Sequence, residues 1–169
     1  MVNDNFNCPT PNSADVAVWQ QSKIIRWSQI LANSYHRLLG EHLIDSADTP
    51  EQLSKALFYA PFALVSHGTE ANPIFNYGNQ TALQLWALSW EEFIRTPSAA
   101  SAEPINREER AIALRQAKEQ GYIKNYEGIR ISSVGQRFVI KQVTVWNLTD
   151  KSGQKCGQAA TYPQWEWLE

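Results

Sequence analysis

Three histidines and two cysteines carry the most obvious catalytic or metal-binding chemistry in this chain of 169 residues, and their spacing argues against most of it. His36 and His42 stand six residues apart, which on a continuous helix turns them about 120° from each other and leaves them unsuited to joint chelation. His67 precedes Gly68 at a strand end, where a histidine orders a turn more readily than it binds a ligand. No Asp occurs between Asp48 and Asp150, so a His–Asp dyad would have to recruit a residue from outside the main core elements. There is no Gly-rich phosphate loop, no Ser nucleophile motif and no paired-carboxylate constellation. Metal binding is therefore unsupported, and the demand for nucleophile, base and orienter together goes unmet, so we expect no enzyme. Cys8 near the start and Cys156 far along the chain make no disulfide framework and point to a reducing compartment.

The aromatic residues offer binding chemistry instead. Tyr77, Trp86 and Phe138 could wall a small, mostly apolar ligand site floored by Ile129, Ile140, Val143 and Val145, with convergent polar groups from His67, Asn76 or Arg110. The competing reading is that these aromatics simply fill the interior, as such residues usually do. Arg110 sits in "REER", a pattern typical of a solvated helix face.

Several helices and a sheet must position these groups. In "VAVWQQSKIIRWSQILANSYHRLL", residues 16–39, Ile24, Trp27, Leu31, Tyr35 and Leu38 recur at three or four and define one helical face. Thr49, Pro50 and Gln52 start a second helix that runs to about Tyr59 and stops before Pro61. "FALVSHG" and "PIFNY" read as a hairpin. Asn79 caps a helix carrying Ala82, Leu85 and Trp86, and Ser89 with Glu92 forms a capping box for a further turn or two. "RTPSAASAEP" reads as a loop; Asn106 and Glu109 open the next helix, which Gly121 closes. "YEGIRIS" and "RFVIKQVTVWNL" flank the turn "SVGQ", and "TDKSGQ" leads to a last strand, "KCGQAATY".

The long strand changes its apolar phase, with Phe138 and Ile140 on one parity and Val143 and Val145 on the other. A β-bulge near Lys141 and Gln142 would bring all four to one face and leave Thr144 and Trp146 on the opposite face, toward the first helix. Pairing across "SVGQ" would add Ile129 and Ile131 to the inner face and put Arg130 and Ser132 on the outer one. Without a bulge, both faces of the sheet would simply be covered.

The order β-β-α-α-α-β-β-β resembles the PAS fold, a five-stranded antiparallel sheet with its helices over one face, here with an amphipathic helical extension in front. "NQTALQLWALSWEEFIRTPS" and "GQRFVIKQVTVWNLTDKSGQKCG" are similar to two PAS segments. "SHG", "NPIFNYGNQTAL", "QGYIKNYEGIRISSVGQRF", "VTVWNL" and "WEWL", in this order, resemble the MEKHLA domain of plant homeodomain-leucine zipper regulators and stand-alone bacterial proteins. We expect a loose terminus over 1–15, a helical extension over 16–60 and the PAS-like domain over 61–169. Neither a homeodomain nor a zipper accompanies the domain in this sequence, so the DNA-binding role does not carry over. Flavin photosensors of the PAS fold place a reactive Cys where this chain has "TPSAASAEP", and haem-binding members take a His from the long helix, here "REERAIALRQAKEQ". Neither residue is present, and the cofactor stays unassigned.

The resemblance implies a sensory or regulatory domain. One reading is a ligand site between sheet and helices. Another is a ligand-free interaction module that dimerises through Ile24, Trp27 and Leu31 of the first helix and Trp146 of the sheet. A third, less favoured, is an NTF2-like enzyme. The net charge of −2 gives no overall attraction to nucleic acid, and no run of about 18 apolar residues or secretory signal occurs, so the expected location is the cytoplasm, away from membranes.

Overall fold

Local signals set the helix starts. Thr49 Oγ1 accepts a hydrogen bond from Gln52 N–H at 3.2 Å and Pro50 fills the first turn, so α2 runs Pro50–Phe58. The preceding helix, α1 (Ser22–Leu39), follows a single 3-10 turn and ends where Gly40 turns left-handed. Asn79 Oδ1 accepts from Ala82 N–H to open α3 (Gln80–Trp86), and the reciprocal Ser89–Glu92 box opens α4 (Trp90–Phe93). The helix α5 (Arg107–Gln120) runs directly into the second half of the sheet. The computed structural model describes residues 16–45, 47–102 and 107–169, so the expected loose terminus and the Asn106 cap lie outside the described residues.

The strands are β1 (Ala63–His67), β2 (Phe75–Gly78), β3 (Tyr122–Ile131), β4 (Arg137–Thr149), β5 (Lys155–Tyr162) and β6 (Gln164–Trp167). They form one antiparallel sheet in the order β2-β1-β5-β4-β3, and β6 pairs with the half of β4 that β5 leaves free. Among the described residues the sheet therefore has six strands, against the expected five. Pro163 has no N–H to donate, and the chain changes from β5 to β6 there. Trp165 opposite Ile140 and Trp167 opposite Phe138 then extend the inner face.

The phase change in β4 is a bulge. Tyr126 pairs with Val143 and Gly128 with Ile140, so two steps on β3 answer three on β4, and Gln142 takes φ +53°. Phe138, Ile140, Val143 and Val145 are consequently all buried in one cluster with Leu85, Trp86 and Phe93, while Trp146 and Leu148 belong to a second cluster with Ile24, Leu31 and Tyr35. Both faces of the sheet are covered as well, so bulge and two-sided burial occur together. A left-handed conformation costs a side-chain-bearing residue about 1–2 kcal/mol, and more for a β-branched one. Gln142→Gly is thus expected to be near neutral in urea unfolding and Gln142→Val to lose about 2 kcal/mol. An unbulged strand would reverse that order, because valine favours extended backbone.

The β3–β4 hairpin corrects one expectation. Ser132 N–H bonds the Gln136 carbonyl and Gly135 N–H bonds the Ser132 carbonyl, leaving a three-residue loop with Gly135 at φ +80°. A four-residue "SVGQ" turn, as the sequence suggests, is one residue longer than this loop. A one-residue change of register exchanges the two faces of a strand. Arg130, opposite Phe138, and Gly128, opposite Ile140, therefore face inward, and Ile129, opposite Val139, and Ile131, opposite Arg137, face outward. The loop is held to α3, with Ser133 N–H on the Trp86 carbonyl and Ser133 Oγ on the Ala87 carbonyl.

A second bulge moves Tyr77. Ser66 pairs with Tyr77 but His67 pairs with Phe75, so Asn76 is the extra residue in β2. Phe75 packs in the inner cluster and Tyr77 in the outer one, against Trp90.

Candidate functional site

The inner face of the sheet, with α3 and α5 over it, lines a partly open cavity of about 50 Å³. Since one water needs about 10–15 Å³, this is room for a few waters or one small ligand, far short of a flavin. Of the proposed wall and floor residues, Trp86, Ile140, Val143 and Val145 line it, as do His67 and Arg110. Phe138 lies beside it in the core, with its ring edge-on to Trp86 at 5.4 Å. Tyr77 and Ile129 do not reach the cavity, for the two register reasons given above. Asn76 accepts from Ser66 Oγ at 2.6 Å on the outer face, where Ser66 also receives the Trp27 indole N–H at 2.9 Å.

Sequence reasoning missed Arg130, and with it Tyr126, Gln158 and Tyr162. Arg130 is 6% exposed and lines the cavity, folded back so that its guanidinium lies 5.8 Å from the Tyr126 ring centre. Nη1 donates to the Ile129 carbonyl at 2.8 Å and Nη2 to Tyr126 OH at 3.4 Å. Gly128 makes this possible, since a Cβ there would stand 2.8 Å from both Arg130 Nη1 and Tyr126 OH. Gly135 was the available signal, because glycine at the third position of a three-residue hairpin loop sets the register that turns Arg130 inward.

Three buried polar atoms on cavity-lining residues have no protein partner among the described residues: His67 Nε2, Trp86 Nε1 and Tyr162 OH. Buried polar groups are nearly always bonded, so three on residues around one cavity set it apart from the packed interior. His67 Nδ1 lies 2.7 Å from the Gly68 carbonyl and must carry the proton there, which leaves Nε2 as a lone pair. Burial pushes the His67 pKa down, only partly offset by the Gly68 hydrogen bond. As pH falls, the unfolded chain takes up this proton before the folded one does. The stability contributed by neutral His67 is therefore full above the ordinary histidine range and is lost as pH falls through about 6.5 and below. We expect the urea midpoint to drop from about pH 7.5 to about pH 5.5, and His67→Gln to flatten that slope.

Burial also drives the Tyr162 hydroxyl pKa well up, and it brings Arg110 down to about 10 with help from the neighbouring charge of Arg130. No carboxylate pairs with Arg110 or Arg130 among the described residues.

The expected interface residues are used within the chain. Ile24, Leu31 and Trp146 are buried between α1 and the sheet, and Trp27 is half-buried there. His36 and His42 do meet, contrary to the helical-angle argument, because Gly40 ends the helix and the chain folds back; their rings stack at 4.4 Å and 4°. Ring lone pairs lie in the ring planes, so parallel stacked imidazoles cannot converge on one ion. No group of three metal-binding side chains occurs among the described residues, and no described helix is long and apolar enough to cross a membrane.

The geometry agrees with what this chain is similar to. A homeobox-leucine zipper protein, HOX29, of Oryza sativa subsp. japonica is 25% identical over 131 residues, which is 76% of this chain and 15% of that protein; its counterpart from subsp. indica matches equally. The chain thus spans about 15% of the length of the curated relatives it matches. Among solved structures, a PAS domain from Colwellia psychrerythraea superposes with a TM-score of 0.59 at 20% identity, covering 70% of this chain and 95% of that one. A light-oxygen-voltage domain studied with a flavin analogue gives 0.55 at 17% identity over 69% of this chain and 84% of its own. An RNA-binding light-oxygen-voltage receptor gives 0.59 at 16% identity, over 76% and 35%. Likenesses of this degree establish the fold, which is PAS-like α+β. The MEKHLA domain model matches residues 25–167, from the first turn of α1 to the last residue of β6, and the chain belongs to the MEKHLA domain family.

Proposed function

We propose that this domain is a sensory or regulatory module that takes a small, mostly apolar ligand between its sheet and α5. The observation that carries this reading is the coincidence of an internal cavity with unpartnered polar atoms on its walls, His67 Nε2, Trp86 Nε1 and Tyr162 OH. Among the described residues Tyr77 OH is unpartnered in the packed outer cluster too, so it is the grouping of three such residues around one cavity that supports the reading. A catalytic reading has less support, since the His67 ring is oriented by a backbone carbonyl and not by a carboxylate, which leaves no base–orienter pair. A dimerisation module using the α1 stripe has less support too, because Ile24, Leu31 and Trp146 already anchor α1 to its own sheet.

Native mass spectrometry of gently purified protein tests the proposal, together with a thermal-shift panel of small neutral, cationic and anionic amphiphiles. We expect a mass excess that is lost on denaturation, or a rise in melting temperature with at least one class. The bare chain mass combined with no shift from any class would end the ligand reading.

A further inference from the structure

Among the described residues, the cavity wall holds two guanidinium groups and no carboxylate to balance them. Arg130 is buried and spends its bonds on a neutral carbonyl and a phenol, and Arg110 has no hydrogen bond among the described residues. Arg130 is buried and Arg110 partly exposed, and two like charges close enough to perturb each other beside a mostly apolar space favour a counter-charge.

A second, wider cleft opens beside the cavity and shares His67, Arg110, Leu114 and Gln158 with it. Its remaining charged lining is Arg115, Lys118 and Lys155 against the single carboxylate of Glu70, which is already engaged by Ile74 N–H. Arg110 thus stands between a basic mouth and the inner chamber. An approaching anion would be drawn in by the outer cations and then held by the inner pair. The chamber behind Arg110 and Arg130 is walled by Val65, Phe75, Ile140, Val143 and Val145, so the body of the guest must be apolar and short.

Resting on the ligand reading above, we infer that the guest is a small carboxylate with a short apolar body, its carboxylate held by Arg110 and Arg130 and its body against the inner sheet face. A carboxylate suits the site better than a phosphate. One negative charge and two coplanar oxygens match a guanidinium fork, and the apolar side chains behind the arginines suit an organic body that inorganic phosphate lacks.

The test is isothermal titration of the full chain with butyrate and benzoate, set against their uncharged amides and inorganic phosphate, and repeated with Arg110→Met and Arg130→Met. The inference expects each carboxylate to bind at least tenfold more tightly than its amide and than phosphate. It also expects both variants to lose at least tenfold in carboxylate affinity, and carboxylate affinity to fall as salt is raised. Methionine removes the charge and keeps most of the volume, so the ligand-free variants should melt no lower than the parent. A lower melting temperature in both variants, with carboxylate affinity unchanged, would make the arginines structural and overturn the inference. Amides binding as well as carboxylates would overturn it too, while leaving the ligand reading intact. If no compound binds and native mass spectrometry shows only the bare chain, the ligand reading falls and the inference falls with it.

Discussion

Replacing Trp146 with alanine is expected to lower folding stability by about 3–5 kcal/mol, the range for truncating a buried aromatic that the surroundings cannot replace. For a domain of this size that is a fall in melting temperature on the order of 10 °C. The side chain is fully buried between α1 and the outer sheet face. Its indole N–H donates to the Leu31 carbonyl at 3.3 Å, and the Tyr35 ring meets it edge-on at 4.9 Å. Trp146→Phe keeps part of the ring contact and loses the hydrogen bond, and should cost about 1–2 kcal/mol. Hydrogen exchange should then quicken along Ser22–Leu39 more than in the inner cluster, because Trp146 is what α1 rests on. A loss below about 1 kcal/mol for the alanine variant would mean that α1 is not held there, and would return its apolar stripe to a partner chain.

What the sequence made legible follows from the range over which each feature is decided. Helix starts at Thr49, Asn79 and Ser89 are settled by side chains within three residues, and they stand where the spacing puts them. The bulge in β4 was readable because four apolar residues had to share a face, and alternation could not deliver that without an extra residue. Register across a turn is different, since a single residue in the β3–β4 loop decides whether Ile129 or Arg130 faces inward. Nothing local to "EGIRIS" reports that choice. The same holds for Asn76, whose bulge carries Tyr77 to the outer face while Phe75 stays inside. The last strand was legible in principle, as "QWEW" alternates apolar and polar, but four residues after a proline make a weak pattern. His42 joined His36 because the helix had ended at Gly40, which a helical-wheel argument cannot represent. Trp86, Ile140, Val143 and Val145 were therefore legible as neighbours of one space, whereas Arg130 turns inward through a loop length that only Gly135 signals.

Asn79 tests the junction on which both layers depend. It is fully buried, and its side chain makes every bond an amide can offer there. Oδ1 accepts from Leu64 N–H and Ala82 N–H at 3.1 Å each, and Nδ2 donates to the Leu57 carbonyl at 3.1 Å and the Phe62 carbonyl at 2.8 Å. One residue thus ties the end of α2, the approach to β1, β1 itself and the start of α3. Asn79→Ala leaves four backbone groups without that partner, and an expected loss of about 3–5 kcal/mol follows from unsatisfied burial plus a lost cap. Asn79→Asp is the sharper experiment. As a simple helix cap, aspartate is as good as asparagine, and the change would be neutral. Here the carboxylate would face two carbonyls with nothing to donate, and burial would raise its pKa above the unfolded value. A group so raised is least harmful below its unfolded pKa and costs more as pH rises through the folded one. The Asp variant should therefore lie several kcal/mol below the parent near pH 7 and recover part of that gap towards about pH 4, where its protonated carboxyl can donate one bond. Urea unfolding at both pH values measures the gap, and an Asp variant as stable as the parent at neutral pH would show that the two donated bonds hold nothing together.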